Sequence, residues 1–254
     1  MKIVVAYKWA PDPQDATVSD DGVVQWSAKR SMSEYDPVAI RVGRLLADAT
    51  GAELIGLTAG EAAAGTPKAI QAAASRGLDR TVVVADDALA GASPETYGAI
   101  LAAAIEKIGD VDLVITGEAS ADVSGKAVPG LMAGHLGWPA ICNVTSVSGG
   151  AGSWKVERMH RGGAQVLAIP MAAVLSVTTD AESIPLVGMK DMMAARKKPS
   201  EALALADLDV PGAASTVSVI GSRRPKSTPR KHIMLDSETA AADLVAHLRD
   251  EGVL

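Results

Sequence analysis

Phenylalanine is missing from this sequence, aromatic residues of all kinds make up 3% of it, and cysteine occurs once, at Cys142. A lone cysteine excludes an intramolecular disulfide framework and any metal site built on several thiolates. With so few rings, the interior has to be assembled from Ala, Val, Leu, Ile and Met. No apolar run approaches the ~20 residues that cross a bilayer. The opening MKIVVAYKW reads as a buried strand and not as a signal peptide. Basic residues are in the minority: 24 Lys and Arg against 30 Asp and Glu leave a formal charge of −6. That balance disfavours general affinity for nucleic acid or for anionic membranes. Together these absences predict a soluble, cytoplasmic protein.

What the chain does have is apolar mass. Hydrophobic residues form 48% of 254 positions, enough for a sizeable core in one large domain with a smaller appendage. Residues 1–140 alternate β-rich runs with helical patterns. The strand candidates Lys2–Tyr7, Glu53–Thr58, Arg80–Ala85 and Asp112–Thr116 are apolar nearly throughout, as parallel strands covered on both faces must be. Three helices announce themselves by a capping residue followed by proline: Asp36-Pro37, Thr66-Pro67 and Ser93-Pro94. They stop near Gly51, Gly77 and Gly109. The third carries Tyr97, Leu101, Ala104, Ile105 and Ile108 on its apolar face. Such an alternation winds right-handed into an open parallel, Rossmann-like α/β sheet.

The first crossover is long, and Val23–Trp26 within it suits a small hairpin strand. After Pro139, four strand-like runs follow: Ala140–Val147, Trp154–Met159, Gln165–Ile169 and Ala173–Val177. Most are separated by glycine pairs, which predicts an antiparallel extension of the sheet. Beyond Thr178 the core signal thins. Residues 187–200 are Met-rich and then basic, residues 221–231 carry five basic residues and two prolines, and Ser237–Glu251 forms an amphipathic helix. The C-terminal arm from about residue 200 is too poor in apolar residues to fold alone, and it wants another surface to pack on.

No catalytic arrangement stands out. His135, His160, His232 and His247 have no cysteine or carboxylate partner at ligand spacing, so no metal site is predicted. The GxSxG elbow, the Walker A sequence and GxGxxG are all absent. What directs attention is topology: open parallel sheets bind ligands outside the carboxyl ends of their strands, where strand order reverses. Three segments are due to meet there, Ala6-Tyr7-Lys8, Thr58-Ala59-Gly60 and Gly117–Val128. The last is small, polar and glycine-containing and leads into a helix carrying Pro129. Its free N–H groups, with Ser124 and Lys126, suit a phosphate.

Several stretches together resemble the β subunit of electron transfer flavoproteins over essentially the whole chain. They are KIVVAYKWAPD, SMSEYDPVAIRVGRLL, KAIQAAASRGLDRTVVV, VDLVITGEASADVSGKAVPGLMAGHLGWP, WKVERMHRGGAQVLAIPMAAVLSV, MMAARKKP and DLVAHLRDEGVL. The resemblance implies a heterodimer with an α subunit, a shared FAD that carries electrons, and no catalytic residue in this chain. It implies an adenine-nucleotide-binding α/β domain over residues 1–200, and an arm over residues 201–254 that packs on the partner. AMP is the nucleotide expected in that domain; a second FAD, as in bifurcating members, and a stand-alone adenine-nucleotide-binding protein are the alternatives.

By position, the resemblance puts the nucleotide on Ala6, on residues 33–36, on Ala59 and on residues 122–133. Taken with the crevice segments, the candidate cofactor-binding residues are Ala6, Tyr7, Lys8, Ser33, Tyr35, Asp36, Thr58, Ala59, Gly60, Asp122, Ser124, Gly125, Lys126, Ala127 and Val128. Glu157 and Arg158 become flavin-proximal. A loop over residues 184–193 with Met189 and Met192, followed by Arg196, Lys197 and Lys198, becomes the surface that meets an electron-donating dehydrogenase. The chain departs from the family pattern in lacking an N-x-P-R-Y element before that loop, where it reads ESIPLVG.

Overall fold

Two of the three cap-and-proline signals are realised as hydrogen bonds. A computed structural model of the chain describes residues 1–210, 220–229, 231–235 and 238–254. In it Thr66 Oγ1 accepts the N–H of Ala69 at 3.4 Å and Ser93 Oγ that of Thr96 at 3.3 Å. Each satisfies an orphan donor of a first helical turn.

Asp36 differs. It lies inside the first helix, which Tyr35 precedes without a side-chain cap. Its carboxylate instead accepts the backbone N–H of Lys8 at 2.7 Å. A long-range donor has taken the oxygen that local chemistry assigned to the cap.

In chain order the main elements are β1 (Lys2–Ala6), α1 (Asp36–Thr50), β2 (Glu53–Gly60), α2 (Pro67–Ala74), β3 (Arg80–Ala85), α3 (Pro94–Ile108) and β4 (Leu113–Gly117). Then come α4 (Val128–Leu136), β5 (Ala140–Ser148), β6 (Trp154–His160), β7 (Gly163–Ile169), β8 (Ala173–Val177), α5 (Met189–Ala195), β9 (Ser200–Ala202) and α6 (Ala240–Asp250). The nine strands form one sheet in the order β7-β6-β5-β8-β4-β1-β2-β3-β9. A short pair, Trp9–Pro11 with Arg30–Met32, closes the long first crossover, and Val24–Gln25 forms a two-residue strand.

The antiparallel extension is smaller than the glycine pairs predicted. β5 and β8 pair parallel with each other, and β8 pairs parallel with β4. Only β6 runs against its neighbours. The reason is burial: Ala173–Val177 is buried at every residue, the signature of an interior parallel strand. A tight hairpin joins β6 and β7, where His160 pairs with Gly163 across Arg161 and Gly162. Both turn residues have positive φ, 46° and 79°, the geometry of a primed two-residue turn that matches sheet twist.

The sheet carries core on both faces. One layer joins Val38, Ile40 and Leu46 of α1 to Ile3, Val5, Ile115 and Trp154. The other joins Ile100, Ala104 and Ile105 of α3 and Met132 of α4 to Val4, Ile55 and Val114. Leu208 is buried in this second layer, with Leu203, Leu205 and Val210 packed against it. The apolar content is therefore carried by aliphatic residues, as the missing phenylalanine required.

By contact density the chain divides into two units. The large one comprises Met1–Thr17 and Val24–Gly221, and the small one Val18–Val23 and Ser222–Leu254. Within the small unit α6 buries no residue and exposes Leu244 and Val245. Arg224 pairs with Asp20 at 3.5 Å, and Lys231 pairs with Glu251. Arg230 of the basic stretch and Ser237 of the expected helix start lie outside the described residues.

The caps are testable. Replacing Ser93 with Ala is expected to cost about 1 kcal/mol and to lower Tm by roughly 2–4 °C for a chain of this size. Calorimetry reads this directly; an unchanged Tm would mean that α3 does not depend on its cap.

Candidate functional site

The chain leaves β1 toward β2 and β3 on one side, then returns to place β4 on the other side of β1. Strand order reverses at that point, which is where an open α/β sheet offers a crevice. A cleft of about 190 Å³ lies there. Ala6, Tyr7 and Lys8 line it after β1, Ala59 near the end of β2, and the segment 116–120 after β4. Another wall is the loop before α4, through Gly125, Lys126 and Ala127, with Val128 and Pro129 at the start of α4.

Asp36 ties these walls together. Its carboxylate accepts N–H groups from Lys8, after β1, and from Gly117, at the end of β4. Gly117 permits that approach: a Cβ there would come within 2.6 Å of the Tyr35 carbonyl oxygen and 2.9 Å of Asp36 Oδ1. Burial dominates the titration of Asp36 and pushes its pKa up to about 8, against the two N–H donors and the Lys8 ammonium.

Two ion pairs stand at the rim. Lys8 Nζ meets both oxygens of Asp122, at 2.7 and 2.9 Å. These contacts hold the Asp122 carboxyl below the usual range although burial opposes them. Lys126 Nζ meets Glu118 at 3.0 Å. Ser33 Oγ accepts the N–H of Ala121 at 3.2 Å, tying the turn before α1 to the same loop.

The loop before α4 is unusual in its backbone. Ser124 and Lys126 both have φ of 52°, a left-handed conformation uncommon for residues other than glycine. Ser124 is held there by its N–H and Oγ, both donating to the Ser120 carbonyl at 3.0 Å. Lys126 is followed by Ala127 in the right-handed helical region. Such a reversal turns successive N–H groups toward one another, a concavity that receives anions. Among the described residues, none accepts a hydrogen bond from the N–H of Lys126, Ala127 or Val128.

Of the predicted site residues, the structure thus gathers Ala6, Tyr7, Lys8, Asp36, Ala59, Gly125, Lys126, Ala127 and Val128 on one cleft, with Ser33 and Asp122 bonded to its rim. Thr58 does not face it: it is fully buried and its hydroxyl has no partner among the described residues. Strand alternation sends it to the opposite side from Ala59. Gly60 uses its carbonyl to accept the N–H of Asp86, and Tyr35 contributes the carbonyl beside Gly117.

Other predicted residues lie elsewhere. Glu157 and Arg158 are on β6, four strands from β1, where Arg158 Nε donates to Gln165 Oε1 at 2.8 Å. Met189 and Met192 are exposed on α5, and Gln71 Nε2 of α2 donates to the Met192 carbonyl at 2.9 Å. Arg196 and Lys197 are exposed. Lys198 is engaged within the fold: its ammonium donates to the Ala74 carbonyl at 3.0 Å, a cation at the negative end of α2.

The sequence reading missed the contribution of α3. Pro94, Tyr97 and Leu101 line the cleft beside Ala92. The i, i+4 spacing of Tyr97 and Leu101 predicts a core face and gives no sign that one end of that stripe overhangs a crevice. Tyr97 is half-buried and donates its hydroxyl to the Leu89 carbonyl at 3.0 Å.

Residues 21–208 match the family model of the electron transfer flavoprotein domain. The chain belongs to the electron transfer flavoprotein family. Membership implies a general role in flavin-linked electron transfer alongside partner proteins, and members of this family are electron carriers. Among the described residues no helix is long and apolar enough to cross a membrane, and no group of three or more His, Cys, Asp or Glu is placed to hold a metal ion. Within this family fold, the cleft at the strand-order reversal is the feature that combines a built cavity, free N–H donors and charged groups.

Two measurements test this geometry. Between the ordinary carboxyl value of 3.8 and about 8, native Asp36 holds a proton that the unfolded chain has released. Stability must therefore fall as pH rises through that window. Wild-type Tm is expected to decline more steeply from pH 4 to 8 than that of D36N; parallel curves would show Asp36 ionised in the native state. Tyr7 is 4% exposed, belongs to the core layer of α1, and its hydroxyl has no partner among the described residues. Burial holds that hydroxyl well above its usual pKa. Y7F removes an unpaired buried group and is expected to gain about 1 kcal/mol; a loss would reveal a partner for the hydroxyl in solution.

Proposed function

We propose that this chain is the β subunit of a heterodimeric electron transfer flavoprotein. It binds AMP as a structural nucleotide in the cleft and helps an α subunit to hold FAD. The complex passes electrons from a flavin dehydrogenase to a downstream acceptor in the cytoplasm, and this chain makes or breaks no bond itself. The observation that carries the reading is the set of unpaired N–H groups of Lys126, Ala127 and Val128 facing a cleft at the strand-order reversal. An adenine nucleotide's phosphate satisfies those donors at the start of α4, where the helix dipole also favours negative charge. The apolar wall of Ala59, Tyr97 and Leu101 suits the adenosine.

The electron-carrying chemistry is supplied by FAD when it is bound. In that complex Glu157 and Arg158 of β6 face the flavin side. The role of this chain is to orient the partner's surface and to hold the strand ends rigid through Asp36.

Two surfaces support the partner assignments. Residues 201–254 act as an arm on the α subunit, and the exposed Leu244 and Val245 of α6 are the apolar contacts it offers. Met189, 81% exposed, with Met192 and the cations Arg196 and Lys197, forms a soft, adaptable patch for the dehydrogenase. Lys198 sets the position of that segment through α2.

The decisive experiment is co-purification with the α subunit, followed by extraction and identification of bound nucleotide. One FAD and one AMP per heterodimer is the expected result. Two FAD would establish the bifurcating type, and a colourless monomer retaining ATP would overturn the subunit assignment.

A further inference from the structure

Three of the chain's nine methionines fall within five residues, at Met189, Met192 and Met193. Their i, i+3, i+4 spacing puts the three thioethers on one face of α5. The backbone beneath them is fixed. The N–H of Gly188 donates to Asp191 Oδ2 at 3.0 Å, and Gln71 Nε2 donates to the Met192 carbonyl at 2.9 Å. Ala195, one turn on from Met192, is buried, so α5 packs along that side. Met189, Met193 and Met192 are accordingly 81%, 56% and 37% exposed, whereas Met132 in the core is fully buried.

Cations adjoin this face. Arg196 continues the helical backbone past Ala195 and lies i+3 from Met193 and i+4 from Met192, the spacings of side-chain neighbours. Lys197 follows it, and Lys190 stands beside Met189. All three are exposed, and none forms an ion pair among the described residues. Met234 provides the contrast. It is 74% exposed, but it stands alone outside helix and strand, and the preceding Lys231 is paired with Glu251.

We infer that Met189 and Met193 form a reversible oxidation site, converted to sulfoxides by hydrogen peroxide ahead of the other methionines of the chain. The sulfur lone pair attacks one peroxide oxygen; the S–O bond forms as the O–O bond breaks, and sulfur gives up two electrons. The departing hydroxide takes the proton of the transferred hydroxyl and leaves as water. The unpaired cations favour this step by stabilising the charge that develops on the departing oxygen. A sulfoxide is polar where a thioether is apolar, so the α5 face changes character, and a sulfoxide reductase with two thiols restores it, yielding a disulfide and water. This modification goes beyond the docking role proposed for α5 and stands without it.

Peptide mass spectrometry of the full chain during exposure to dilute hydrogen peroxide tests the site. Met189 and Met193 are expected to oxidise at least about tenfold faster than Met132 and about threefold faster than Met234. Met234 converting as fast as either would show that exposure alone decides and would overturn the site. R196Q combined with K197Q is expected to slow Met193 about threefold; an unchanged rate would overturn the part given to the cations. M189L with M193L keeps the face apolar and removes the two sulfurs. Peroxide is expected to weaken retention of wild-type protein on a phenyl matrix and to leave that variant unmoved, with Tm measured alongside to exclude unfolding. Equal shifts in both would overturn the change of surface, and sulfoxides that persist after treatment with the reductase and a dithiol would overturn reversibility.

Discussion

A single buried carboxyl group organises the functional end of this molecule. Asp36 accepts N–H groups from the segment after β1 and from the end of β4, the two strands between which chain order reverses. Burying a carboxyl group is costly unless it is hydrogen-bonded, so these contacts have to form together or not at all. The close approach at Gly117 follows from the same constraint, because the helix carrying Asp36 must press its first turn against the β4 terminus.

The loop before α4 depends on that anchor. Ser33 reaches Ala121 from the turn that introduces Asp36, and Lys8, fixed by Asp36, reaches Asp122. The strained backbone at Ser124 and Lys126 is therefore held from both sides. Residues in left-handed conformations persist only where the surroundings over-determine them, and they concentrate at ligand sites. The cleft is consequently preformed, and the ordering entropy of the loop is spent during folding instead of at the moment of binding.

The middle of the strand order, at β4 and β1, holds the cleft, and one end, β5 to β7, carries register shifts and is closed by a tight hairpin. Met189 of α5 and Leu244 and Val245 of α6 are exposed among the described residues. Both layers are filled mainly by aliphatic side chains, in keeping with the absence of phenylalanine.

Much of this was legible in the chain itself. The positions of β1 to β4, the α1 to α3 series and two of three caps follow from local periodicity and from hydrogen-bonding side chains beside proline, which are short-range effects. The crevice segments followed from topology alone. Asp36 was read as a cap because the sequence contains no sign that Lys8, 28 residues earlier, would supply a stronger donor. The parallel pairing of β8 was invisible for a similar reason, since glycine pairs mark turns but do not say which strand lies alongside. The lining by Tyr97 and Leu101, the engagement of Lys198 by α2 and the rim pairs at Glu118 and Asp122 were decided only in three dimensions. They are contacts between side chains far apart in sequence, and no pattern within one segment encodes the distance between two.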